Sequence, residues 1–147
     1  MSPMASSNEW VFWALMSAVF AAATAILAKI GLDGVDSDFA TLVRTVVIGL
    51  VLGALVYVTG KWQDPTAIPH RALVFLTLSG LATGASWVCY FRALKIGEAS
   101  RVAPIDKLSV LLVAVFAVIF LGERPSLKDW TGIALVGVGV LILSLRR

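Results

Sequence analysis

Apolar residues run in five blocks along the chain, over residues 10–30, 38–59, 71–94, 102–121 and 127–145, with short polar stretches between them. About 20 residues at roughly 1.5 Å rise each reach across the hydrocarbon core of a bilayer, so each block is read as a transmembrane helix. The separators, GLDGVDSD, GKWQDPTAIPH, KIGEAS and GERPS, are rich in Gly, Pro, Asp and Ser, the residues that end helices. Connections this short make successive helices antiparallel neighbours. The pattern therefore predicts an all-α fold over residues 1–147: a single integral membrane bundle of five transmembrane helices, with no linker and no second domain.

Composition sharpens this picture. The chain is 59% hydrophobic and 14% charged, with a mean hydropathy of +0.93. That is more apolar surface than a soluble domain of 147 residues can bury. The first block is read as a span and not as a secretory signal, because MSPMASSNEW before it has no Lys or Arg. The lone cysteine, Cys89, has no internal disulfide partner and is read as a small packing residue. The sequence offers no metal-ligand cluster, no nucleophile with a base and no glycine loop for phosphates. Enzyme chemistry has no visible seat, and no cofactor, metal or nucleic-acid partner is expected.

With five spans the two ends lie on opposite faces of the membrane. Side A, that of the amino terminus, receives Lys61, Arg71, Arg124 and Lys128. Side B receives Lys29, Arg92, Lys95, Arg101, Arg146 and Arg147, and lies nearer to Arg44 and Lys107. The positive-inside rule then puts side B in the cytoplasm and the amino terminus outside. Trp10, Trp13, Trp62 and Trp130 all fall at the side A interface, where an indole is well placed as an anchor.

Lipid does not drive helices together hydrophobically, so small residues must allow close packing. Ala14, Ala18 and Ala22 recur in the first span, Gly49 and Gly53 in the second, and Gly80 and Gly84 in the third. These ridges are assigned to packing within the chain; a dimer face is the alternative. Gly132, Gly137 and Gly139 keep the fifth span slim.

Charges inside the spans are the candidate chemistry. Pro104 suits the first position of a helix, so the fourth helix is expected to start near Ala103, with Asp106 in its first turn facing the positive end of the helix dipole. Lys107 can snorkel to side B. Adjacent helical residues point about 100° apart, so Asp106 and Lys107 are not expected to pair. Arg44, six residues into a span that begins near Asp38 and about 9 Å below its side B end, is the candidate partner of Asp106. Arg44, Asp106, Lys107 and Lys29, with Trp87 and Tyr90 at i, i+3 on the third helix, form a candidate lining for a small solute bearing a negative group.

The stretch YFRALKIGEASRVAPIDKLSVLLVAVFAVIFLGERPSLKDWTGIALVGVGVLIL resembles the repeat unit of the EamA-type transporters of the drug/metabolite transporter superfamily. The likeness rests on the A-L-K-x-G helix exit, the V-A-P entry, the F-L-G-E-R end and the glycine-rich last span. It extends to the whole chain at the level of five spans. Glu123 and Arg124 match the recurrent G-E-R element, read as structural. The first-span glutamate of the related small multidrug exporters has no counterpart, since Glu9 lies at the boundary. Members of this family carry two such repeats of opposite orientation, and this chain has one. The resemblance thus implies a homodimeric transporter of the inner membrane, moving a metabolite by alternating access amid membrane lipids. The other reading is a non-transporting subunit in which Arg44 and Asp106 only lock helices together.

Overall fold

The computed structural model describes residues 9–145. Helix α1 is Glu9–Gly31, α2 is Ser37–Val58 and α3 is His70–Ile96, with a single 3-10 turn at Pro65–Ala67 between α2 and α3. The fourth span, Ala99–Leu121, is broken into α4 (Ala99–Asp106), α5 (Ser109–Phe116) and a π-helical turn at Ala117–Leu121; α6 is Leu127–Leu145. There is no strand among the described residues, and five helical spans are long and apolar enough to cross a membrane. Most of their large apolar side chains are exposed, as lipid contact requires.

Helix ends follow local chemistry. Asp36 caps α2 by accepting from the backbone N–H of Asp38 at 2.9 Å and of Phe39 at 3.1 Å. Asp64 caps the 3-10 turn, and the backbone N–H and then the hydroxyl of Thr66 hold its carboxyl below the usual carboxylate range. Before α6, the Ser126 backbone N–H donates to the Asp129 carboxylate at 2.8 Å and the Asp129 N–H donates to the Ser126 hydroxyl at 3.3 Å, a reciprocal capping box. Gly122 ends the π turn at φ 68°, a left-handed conformation in which a side chain would be strained.

The fourth span departs from the sequence-based expectation. It starts at Ala99, not near Ala103, because the Glu98 carbonyl already accepts from the N–H groups of Arg101 and Val102, each at 3.0 Å. Pro104 is therefore inside α4 and not at its first position. It has no N–H to give, and its ring crowds the preceding turn, so α4 ends two residues later. There the bonds tighten to i→i−3, from Lys107 N–H to the Pro104 carbonyl and from Leu108 N–H to the Ile105 carbonyl, before α5 restarts at Ser109.

The chain divides into two compact units, Ile30–Ile96 and the segments before and after it. In Ile30–Ile96, α2 packs on α3 around buried Thr41, Phe91 and Leu94, the last wholly inaccessible. In the other unit, α4 and α5 pack on α6 around Ala114, Ala117 and Val140. Leu111 lies across Gly137, where an added Cβ would sit 2.7 Å from Leu111 Cδ2. Close packing thus uses Gly137. The ridges expected to do this work do not: no neighbouring atom lies within 4 Å of where a Cβ would stand at Gly49, Gly53, Gly80 or Gly84. Ala14, Ala18, Ala22 and Cys89 are also exposed.

Candidate functional site

Arg44 is the eighth residue of α2, so it lies about 10 Å along the helix from Ser37. Its guanidinium carbon is 4.3 Å from the Trp87 ring centroid and 5.2 Å from that of Phe91. Trp87 and Phe91 are one turn apart on α3 and so share a face. Stacking on rings satisfies the cation without a carboxylate. A guanidinium over a ring still has its N–H donors to offer a carboxylate or phosphate. No carboxylate pairs with Arg44 among the described residues of Ile30–Ile96, where the Asp38 carboxylate is held by Arg92, Nε to Oδ1 at 2.9 Å.

The sequence pointed to Trp87 with Tyr90 as the aromatic flank. Trp87 is in contact with Arg44 and Phe91 adds a second ring over the cation; half-buried Tyr90, its ring centroid 6.3 Å from that of Phe91, also interacts electrostatically with Arg44. The i, i+4 spacing of Trp87 and Phe91 was the available signal, masked because Phe in an apolar run reads as ordinary packing.

Other cations at the helix ends are engaged locally. Lys95 donates to the carbonyls of Leu32 and of Val35, closing the turn between α1 and α2 onto the end of α3. Lys29 donates to the Gly97 carbonyl at 2.8 Å. These lysines bind helix-end carbonyls, which carry partial negative charge.

Asp106 and Lys107 lie at the break between α4 and α5. They do pair, Nζ to Oδ2 at 3.5 Å, contrary to the expectation drawn from a continuous helix. The break and the long lysine stem allow it. Asp106 is the last residue of α4 and not in a first turn, so the helix dipole does not favour its charge; Lys107, at the C-cap, offsets it. Both side chains are accessible, 39% for Asp106 and 55% for Lys107. Arg44 and Asp106, expected as partners, fall in different units, and each is engaged within its own: Arg44 by the rings of α3, Asp106 by Lys107.

An all-helical membrane chain with an intramembrane arginine on an aromatic shelf fits a carrier. The chain belongs to the EamA-like transporter family, which it matches over residues 8–145. It is 59% identical over 138 residues to a protein of a Sinorhizobium species named as an uncharacterized transporter in the cobO 3'region, covering 94% of this chain and 98% of that one. It is 27% identical over 84 residues to the probable 4-amino-4-deoxy-L-arabinose-phosphoundecaprenol flippase subunit ArnE of Yersinia pestis, covering 56% of this chain and 74% of that one. It is also 22% identical over 99 residues to the uncharacterized protein MJ1333.1 of Methanocaldococcus jannaschii, covering 67% and 71%. No solved structure matches.

Proposed function

We propose that this membrane transporter carries a small metabolite bearing a negative group across the inner membrane by alternating access, leaving it chemically unchanged, and that it works as a homodimer. The carrying observation is Arg44. A cation at this depth costs about 3 kcal/mol by insertion scales, so it is kept where it meets rings and an incoming anion and not lipid. Trp87 and Phe91 hold its face, and its edge receives the carboxylate or phosphate of the solute. Lys107 is tethered to Asp106 by a long and exposed pair, and Lys29 braces a helix end.

Two copies supply the two repeats between which transporters of this kind place their solute. The Sinorhizobium relative supports this, since a 138-residue match makes up 98% of a protein that is itself named a transporter. The excess of basic residues on side B supports a cytoplasmic carboxyl terminus and an external amino terminus. Arg146 and Arg147, which contribute to that excess, lie outside the described residues. The subunit reading also has a specific support, because one relative is named as a flippase subunit, which favours a role as one part of a larger assembly.

Thermal stability of the purified full-length protein, measured against organic anions and matched organic cations, tests the proposal. Anions stabilise the wild type and leave Arg44→Gln unshifted. Equal shifts in the two proteins, or stabilisation by cations instead, contradict it.

A further inference from the structure

The fourth span has two unlike faces. On one, Ala114 and Ala117 are buried and Leu111 lies across Gly137 of α6. The other is the stripe Ser109, Val113, Phe116 and Phe120, spaced as one helix face and exposed throughout. The rings of Phe116 and Phe120 meet edge to face, with centroids 5.9 Å apart. Asp106 stands three residues ahead of Ser109, at the head of this stripe, with Lys107 beside it. The apolar part of the stripe suits lipid; its head does not. Asp106 is about 10 Å along the span from Ala99, and its single methylene cannot carry a carboxylate from there to the interface. Lys107 has the longer stem, yet its ammonium stays at the Asp106 carboxylate. Charges at such depth are kept against protein or water. Here 39% of the Asp106 side chain and 55% of the Lys107 side chain are left accessible by the chain itself.

We propose that a second copy of this chain covers the break, across a two-fold axis along the membrane normal, with Asp106 of each copy paired to the partner's Lys107. The inference rests on the homodimer reading above and names its interface. An acid and a base at neighbouring positions, on one surface and at one depth, are self-complementary: a two-fold axis sets each against its opposite. Both have capacity for a second partner, since an ammonium has three donors and a carboxylate can accept several bonds. Depth selects the axis. Copies inserted alike hold their breaks at the same level, in keeping with the basic excess on side B, whereas in an antiparallel pair the two breaks lie toward opposite membrane faces and the charges miss one another. The continuation of the charged head into Val113, Phe116 and Phe120 favours protein over water as the cover, because water does not wet an aromatic stripe.

Charge variants of the full-length protein in phosphatidylcholine liposomes test this, with dimers counted by capture between two differently tagged copies. Asp106→Lys sets four cations together at the axis and Lys107→Asp four anions, so each variant alone loses dimer affinity by about tenfold or more. Mixed with one another, the two variants restore dimers, each supplying the charge the other lacks; that rescue also shows that both are folded. The exchange Asp106→Lys with Lys107→Asp in one chain keeps every pair and dimerises as the wild type does. Ser109→Cys in a Cys89→Ala chain forms a disulfide between copies. Single variants that dimerise as well as the wild type, or that stay monomeric when mixed, overturn the proposal and leave the homodimer standing on another face. Rapid labelling of Ser109→Cys by a polar thiol reagent in the intact dimer also overturns it, because water then covers the break. A wild type that is monomeric in liposomes removes the homodimer reading itself.

Discussion

Arg44 on α2 rests over Trp87 on α3, with 4.3 Å between the guanidinium carbon and the indole centroid, and Phe91 closes on the same cation from one turn further along. An intramembrane charge is thereby held by two rings of the neighbouring helix. The contact ties two helices together and presents a fixed set of donors, so it has both a stability and a binding consequence.

For stability, a double-mutant cycle with Arg44→Gln and Trp87→Leu gives a coupling of about 0.5–2 kcal/mol, the range of cation–π contacts from exposed to desolvated. Unfolding in mild detergent reads it. Strict additivity of the two substitutions would show that the ring does not hold the cation.

Glycine substitutions separate packed from open positions. Gly137→Ala places a methyl against the end of the Leu111 side chain, which must turn aside, so it is less stable than Gly84→Ala, and the difference shrinks in a Leu111→Ala background. Gly84→Ala meets nothing and is neutral, or gains up to about 1 kcal/mol from helix propensity. Thermal denaturation of the two single mutants checks the contrast, and equal losses would mean that Gly84 is packed after all.

Replacing Pro104 by alanine restores an N–H inside α4. The i→i−3 bonds of Lys107 and Leu108 then relax toward i→i−4, and the helix runs through the present break. Hydrogen exchange should slow at residues 104–108. Unchanged exchange there would place the cause of the break elsewhere, in the Asp106–Lys107 pair.

The proposed orientation rests on the distribution of basic residues. A reporter fused after Arg147 signals from the cytoplasm, and one at the amino terminus from outside. A carboxyl-terminal reporter found only outside contradicts the assignment; equal populations indicate dual insertion and an antiparallel dimer.

The five spans were legible because a bilayer demands about 20 apolar residues and the polar separators are rich in helix-ending residues. The break in the fourth span was not. Pro104 has two meanings, first residue of a helix or interruption of one, and the deciding feature was the earlier start at Glu98, whose carbonyl takes up two N–H groups. Likewise GxxxG spacing does not say whether a ridge is covered: the tightly packed glycine, Gly137, sits in GVGV, while Gly49, Gly53, Gly80 and Gly84 face open space. Of the candidate site, Arg44 and Trp87 were readable from depth and side. Phe91 was hidden among apolar residues, and the Asp106–Lys107 pair was hidden by the assumption of an unbroken helix.

The most direct measurement is anion uptake into liposomes holding the full-length protein, compared among wild type, Arg44→Lys and Arg44→Gln at matched amounts of folded protein. Wild type accumulates a labelled organic anion. Arg44→Gln abolishes uptake, and Arg44→Lys recovers little, since an ammonium neither stacks flat on Trp87 nor offers paired donors. Folded Arg44→Gln protein that transports at the wild-type rate would contradict the account.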